Sequence, residues 1–168
     1  LDLSRLDCLD YWIARLKARG IYVYLDLLDY RTFQEAEGVP QGPRLGRGAK
    51  PYAVFHERLQ ELQRDYAGML LFDHVNPYTR LSYAADPAVC LVELCDENGL
   101  FHERKRLGEM LAPYDAELVK RWNDWLLSTY GSREKLATVW TDDAGVSSLC
   151  DDEDPRRGSV ALPGVSVG

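Results

Sequence analysis

Apolar residues at Leu3, Leu6, Leu9, Ile13 and Leu16 recur every three or four positions, the spacing that lays them along one face of an α-helix. Asp2 or Ser4 is placed to cap this helix, and Gly20 to end it. The pattern then changes. Residues 21–28, IYVYLDLL, are apolar at nearly every position and rich in β-branched and aromatic side chains, as in a parallel strand covered on both faces. A second helix is predicted over about 57–72, with Leu59, Leu62, Tyr66, Met69 and Leu70 on one face. NPYT at 76–79 marks a turn, and a second strand runs from about Val89 to Cys95. A further helix over about 115–128 carries Leu118, Trp122, Trp125 and Leu126, a spacing that assigns both tryptophans to a core. SREKLATVW reads as a short helix capped by Ser132.

Between these elements the pattern is lost twice. Residues 29–54 form a long loop punctuated by Gly38, Pro40, Gly42, Pro43, Gly46, Gly48 and Pro51. From Thr141 onward the composition turns to Asp, Gly and Ser, including DDED at 151–154, which reads as a solvated linker or insertion. The domain expected is therefore 1–140, followed by a linker over 141–168. The order helix, strand, helix, strand, helix predicts an α/β fold with a parallel sheet. Neither strand is followed by a GxGxxG or GxxxxGK turn, so a nucleotide-binding sheet is disfavoured against a partial (β/α)8 barrel of the TIM type.

Charge and cysteine content narrow the classes. A net charge of −7 and a pI near 5.0 disfavour nucleic acid or an anionic membrane as partner. No stretch approaches the ~18 consecutive apolar residues of a membrane span. Cys8, Cys90, Cys95 and Cys150 lack the spacing of a zinc site, and FHER at 55–58 and 101–104 lacks the second histidine of HExxH, so no metal or cofactor is expected. The chain begins at Leu1 inside a helical pattern and stops at LPGVSVG, which reads as a piece cut at both ends.

The second strand raises the question of chemistry, because AVCLVELC runs into Asp96, Glu97 and Asn98. In barrels the sites lie at the C-terminal ends of the strands, and Asp26 and Asp29 sit at the corresponding end of the first strand. Alternation puts Glu93, Cys95 and Glu97 on one side. Carboxylates gathered at one rim raise one another's pKa, which suits proton transfer. The plain alternative is that strand-end acids cap a helix or face water.

Four segments, DYWIARLKARGIYVYLDLL, PYAVFHERLQELQRDYAGMLL, HVNPYTRLSYAADPAVCLVELCDENGLF and LVKRWNDWLLSTYGSREKL, resemble in that order the third and fourth βα units of clan A glycoside hydrolases, closest to the cellulase-like family 5 relatives. The resemblance covers about residues 3–140. It implies that Glu97, at the place of the glutamate in the Asn-Glu-Asn or Asn-Glu-Pro that ends the clan's fourth strand, is the general acid/base of a retaining reaction on a β-glycosidic bond. Such a reaction pairs a protonated acid with a nucleophilic carboxylate ~5 Å away. The resemblance also implies departures. Asp96 stands where the clan has an asparagine and, when ionised, only accepts hydrogen bonds. Leu28 stands where the clan often has a histidine. The nucleophile belongs to a seventh strand, and this chain reaches only the fourth. The chain alone is thus expected to be incomplete as a hydrolase, and the rival reading is a non-catalytic carbohydrate-binding or structural barrel remnant. Around Glu97, the candidate substrate-binding residues are Asp96, Asn98, Asp26, Tyr30, Phe101 and His102. Aromatic rings on this rim suit sugars, whose apolar faces bury well against them. Asn76 and Tyr78 precede the second strand and so lie on the opposite, stability face. A half-barrel exposes strand edges, so self-association is expected of a truncated chain.

Overall fold

A computed structural model describes residues 1–163, with residues 104–106 described for their backbone alone. It falls into two compact units, Leu1–Asn98 and Gly99–Gly168. The first holds a mixed α/β arrangement in the order α1 (Leu3–Lys17), β1 (Val23–Asp26), α2 (Glu57–Gly68) and β2 (Val89–Glu93). The second holds α3 (Tyr114–Tyr130) and α4 (Arg133–Val139).

Asp2 caps α1, its carboxylate accepting the backbone N–H groups of Ser4 and Arg5. The helix ends at Lys17, three residues before the expected Gly20, which closes the turn that follows with a φ of 71° that suits a residue without a Cβ. Helix α2 is shorter than the periodicity predicts. Its pattern continues through a π turn, Met69–Asp73, which still delivers Leu70 and Leu71 to the core. Leu6, Ile13, Val23, Leu25, Leu27, Leu70, Leu71 and Tyr83 form that core.

Strands β1 and β2 pair in parallel, with Asp26 opposite Glu93 and an irregularity between Val23 and Tyr24. The sheet has these two strands among the described residues. Here the strand expectation needs correction. Val23, Leu25 and Leu27 are buried, but Tyr22 and Tyr24 are 71% and 56% exposed. IYVYLDLL is thus covered on one face only, and its outer face carries tyrosines, which tolerate water through their hydroxyls. Strand β2 is mostly open to solvent, with Leu91 and Val92 exposed, as is Leu94 just beyond it.

A buried polar network holds the segment before β2 against α1. Asp10, 2% exposed, accepts from the Tyr83 hydroxyl at 2.6 Å and from His74 Nε2, which lies 2.8 and 2.9 Å from its two oxygens. Buried Asn76 donates to the Asp10 carbonyl and accepts the N–H groups of Tyr78 and Thr79. Lys17 pairs with buried Asp86 at 2.9 Å. Asn76 and Tyr78 thus serve the architecture.

The long loop is no solvated excursion. It folds into four short 3₁₀ turns, Glu35–Glu37, Gly42–Leu45, Arg47–Ala49 and Tyr52–Val54. Around them Phe33, Val39, Leu45, Ala49, Tyr52, Ala53 and Phe55 are buried. A Cβ on Gly42 would lie 2.6 Å from the Phe33 carbonyl oxygen, so that approach requires glycine.

In the second unit Ser132 caps α4 by accepting the Lys135 N–H. Leu126, Leu136, Leu149 and Val160 form its core. Two of these come from the stretch expected as a solvated linker, which returns to pack on α3. Asn123, 1% exposed, accepts the Val160 N–H and donates to its carbonyl, both at 3.0 Å. Residues 164–168, the tail of that expected linker, lie outside the described residues. Trp122 stacks on Trp125 and Trp140 at 5.3 and 6.0 Å. Trp125 is nevertheless 49% exposed, so helical spacing misplaced it in the core.

Candidate functional site at the strand ends

The parallel register carries acidic residues to one end of the sheet. Tyr24 and Asp26 share a face of β1, and Glu93 stands opposite Asp26 on β2. The Tyr24 hydroxyl donates to the Glu93 carboxylate. That bond, with desolvation and the charges of Glu93, Asp26 and Asp96, pushes the Tyr24 hydroxyl up to about 12. The Asp26 carboxyl is raised by desolvation and by Glu93, Asp29 and Asp96, against the lowering effect of the Leu28 N–H it accepts at 3.2 Å. Burial, followed by the charges of Asp26 and Glu93, likewise raises the Cys95 thiol.

A lysine closes the rim. Lys50, from the loop after β1, reaches Asp29 at 3.3 Å and Asp96 at 3.2 Å, so it ties the loop after β1 to the turn after β2. Its side chain is only 16% exposed. Desolvation disfavours its charge, but the bonds to Asp96 and Asp29 outweigh this and raise its pKa. Of the four carboxylates at this end, Asp29 and Asp96 share one ammonium, while Glu93 takes the Tyr24 hydroxyl and Asp26 the Leu28 N–H.

The structure separates the sequence candidates. Asp26 and Asp96 join this cluster. Strand β2 ends at Glu93, and the chain bends at 94–95 and turns at 96–97, so alternation does not persist to Glu97. Glu97, the acid/base that the resemblance implies, is exposed in that turn with φ of 40°. Asn98 is tucked in, with Nδ2 and Oδ1 both shielded from solvent and unbonded among the described residues. Tyr30 is 65% exposed, and its ring carries the Arg47 guanidinium 4.2 Å above it. Leu28 is buried and does not line the rim. Phe101 and His102 belong to the second unit and are exposed there.

Tyr24 and Lys50 were absent from the sequence reading, which had Glu93 on the same side as Glu97 but not among the candidate site residues. Tyr24 and Glu93 were legible in principle, because alternation places each two residues before a candidate or a strand end. Lys50 had no signal, lying 21 residues beyond Asp29 in an aperiodic loop. A nearby groove of about 200 Å³ is lined by Leu27, Leu28, Arg31, Tyr66, Ala67 and Leu94, among others, and by none of the four carboxylates. Among the described residues no three His, Cys, Asp or Glu side chains stand close enough to hold a metal ion. No helix of the described residues is long and apolar enough to cross a membrane.

Compared with protein-family models, curated proteins and solved structures, the chain matches none.

Proposed function

We propose that this chain is the third and fourth βα units of a (β/α)8 barrel, part of a retaining glycoside hydrolase that cleaves β-linked sugars. The observation that carries the proposal is the register of the two parallel strands. It leaves one sheet face open and brings Asp26 and Glu93 side by side at the C-terminal end of that face. A barrel interior has this layout, with acids at the mouth where substrate enters.

In this reading Glu97, on the turn after β2, is the acid that protonates the leaving oxygen. The nucleophilic carboxylate comes from a later strand, outside this chain. Substrate binding supplies the burial that the exposed Glu97 needs, because a sugar seated over the turn displaces water from it. The test uses the longest reading frame that contains this chain. Glu97→Gln should cost about 10²–10⁴ in kcat on an oligosaccharide with an unactivated leaving group. Unchanged turnover would remove Glu97 from this role.

One observation favours a second reading, a barrel remnant that binds glycan without cutting it. The Lys50 bridge holds Asp96 against Asp29, while the adjacent Glu97 points into open solvent without an orienting partner among the described residues. In that case the full reading frame binds oligosaccharides and turns none over.

A further inference from the structure

We propose that Lys50 and Asp96 together form a subsite for a vicinal diol of a neutral sugar. This inference deepens the carbohydrate reading and rests on it for the substrate class, but it concerns binding and needs no turnover.

The argument begins with valence. An ammonium has three N–H bonds. Two of those on Lys50 go to Asp29 and Asp96, and Nζ has no further acceptor among the described residues. Its side chain is mostly buried but not sealed, so one N–H is left for a ligand. Asp96, whose side chain is 36% exposed, bonds Lys50 through Oδ2 and retains acceptor capacity. Ionised, it accepts and does not donate. The ion pair thus presents one fixed donor beside one fixed acceptor, joined by a 3.2 Å bond. Adjacent hydroxyls on a pyranose match that pair, one accepting from Lys50 and the other donating to Asp96. Both bonds are charge-assisted and stronger than neutral ones. The tie to Asp29 fixes the ammonium beforehand, so little side-chain entropy remains to be lost on binding.

The surroundings set the charge of the ligand. Two carboxylates, Asp29 and Asp96, share the single Lys50 ammonium, and Asp26 stands close enough to both and to Glu93 for their charges to raise its carboxyl, so a uronate or a phosphorylated sugar enters against a negative field. A neutral sugar does not. The Tyr24 hydroxyl is already spent on Glu93 and does not compete for the diol.

The experiment is a calorimetric titration of this chain with cellotetraose, mannotetraose, xylotetraose and tetragalacturonic acid. At least one neutral probe should bind, and the acidic probe should bind at least tenfold more weakly. Binding of the acidic probe as tightly as the neutral ones, or binding of no neutral probe, overturns the proposal without recourse to any variant. Lys50→Met should then weaken the neutral probe at least tenfold. Asp29→Asn, which loosens the tether and keeps the donor, should weaken it less than threefold. Equal losses in the two variants would make Lys50 a tether only and overturn the subsite. If the full reading frame turns over none of these oligosaccharides while Lys50→Met still weakens binding at least tenfold, the hydrolase reading fails and this subsite stands.

Discussion

Tyr83→Phe isolates one bond of the buried network that fixes the segment before β2. The ring of Tyr83 is 1% exposed and sits in the core, so phenylalanine keeps the packing and removes only the hydroxyl. That hydroxyl donates to Asp10 at 2.6 Å, and Asp10 is itself 2% exposed. Water has no ready access to replace the lost donor. A hydrogen bond to a charged acceptor contributes about 1.5–3 kcal/mol net, so a loss of about 2 kcal/mol is expected. His74 remains on both Asp10 oxygens, which limits the damage. Amide hydrogen exchange read on peptides from 3–17 and 74–86 gives the local answer. Protection there should fall about 30-fold, the equivalent of about 2 kcal/mol. A fall of less than threefold would mean that the bond contributes nothing net, and would refute the placement of Asp10 as the anchor. Alkali gives a second reading of the same bond. Burial, followed by the Asp10 bond and charge, raises the Tyr83 hydroxyl well above its ordinary value, whereas in the unfolded chain it titrates near 10. The folded state therefore holds this proton more tightly. Its contribution is complete below about pH 10 and is lost as pH rises toward the folded value. Urea midpoints of the native chain should drop more steeply above pH 10 than those of Tyr83→Phe.

Asn123→Leu should unfold the second unit early, because it strips both partners from the buried Val160 peptide. Two orphaned groups at about 1–3 kcal/mol each imply a melting midpoint lower by more than 10 °C, read by near-ultraviolet dichroism of the Trp122, Trp125 and Trp140 stack. The outer edges of β1 and β2, unpaired among the described residues and beside exposed Tyr22, Tyr24, Leu91 and Leu94, should make the chain self-associate. Its elution volume on size exclusion should decrease as concentration rises. Leu91→Lys should reverse this, and a concentration-independent monomer would refute the open-edge reading.

Periodicity made the helices and both strand positions legible, because α1 and α2 each present an apolar face to one core. It failed where burial is one-sided or irregular. Tyr22 and Tyr24 carry enough apolar surface to mimic a strand covered on both faces, while their hydroxyls let them stand in water. Trp125 has the spacing of a core residue, but its neighbour Trp122 takes the inner place and leaves it outside. Leu149 stands between serines and a cysteine, and Val160 opens the short run Val160-Ala161-Leu162, so neither belongs to a stretch long enough to produce a period. At the candidate site the acids were legible as acids, since charge at a strand end is unusual enough to notice. What organises them was not legible. Lys50 meets Asp96 from 46 positions away, and only the folded path of an aperiodic loop brings it there.

That loop decides where the molecule can be handled. Residues 30–56 contain little regular structure, yet Phe33, Val39 and Ala49 are fully enclosed, and Arg31 spans the turn by pairing with Glu37 and bonding the Leu62 carbonyl. A protease needs an extended, exposed segment in its cleft, and here that means dismantling a small apolar store. Affinity tags, fluorophores or inserted peptides placed in this stretch would meet the same resistance. The exposed hairpin over 141–147, joined by a single bridge between Thr141 and Ser147, is where the chain can be opened at least expense to either unit.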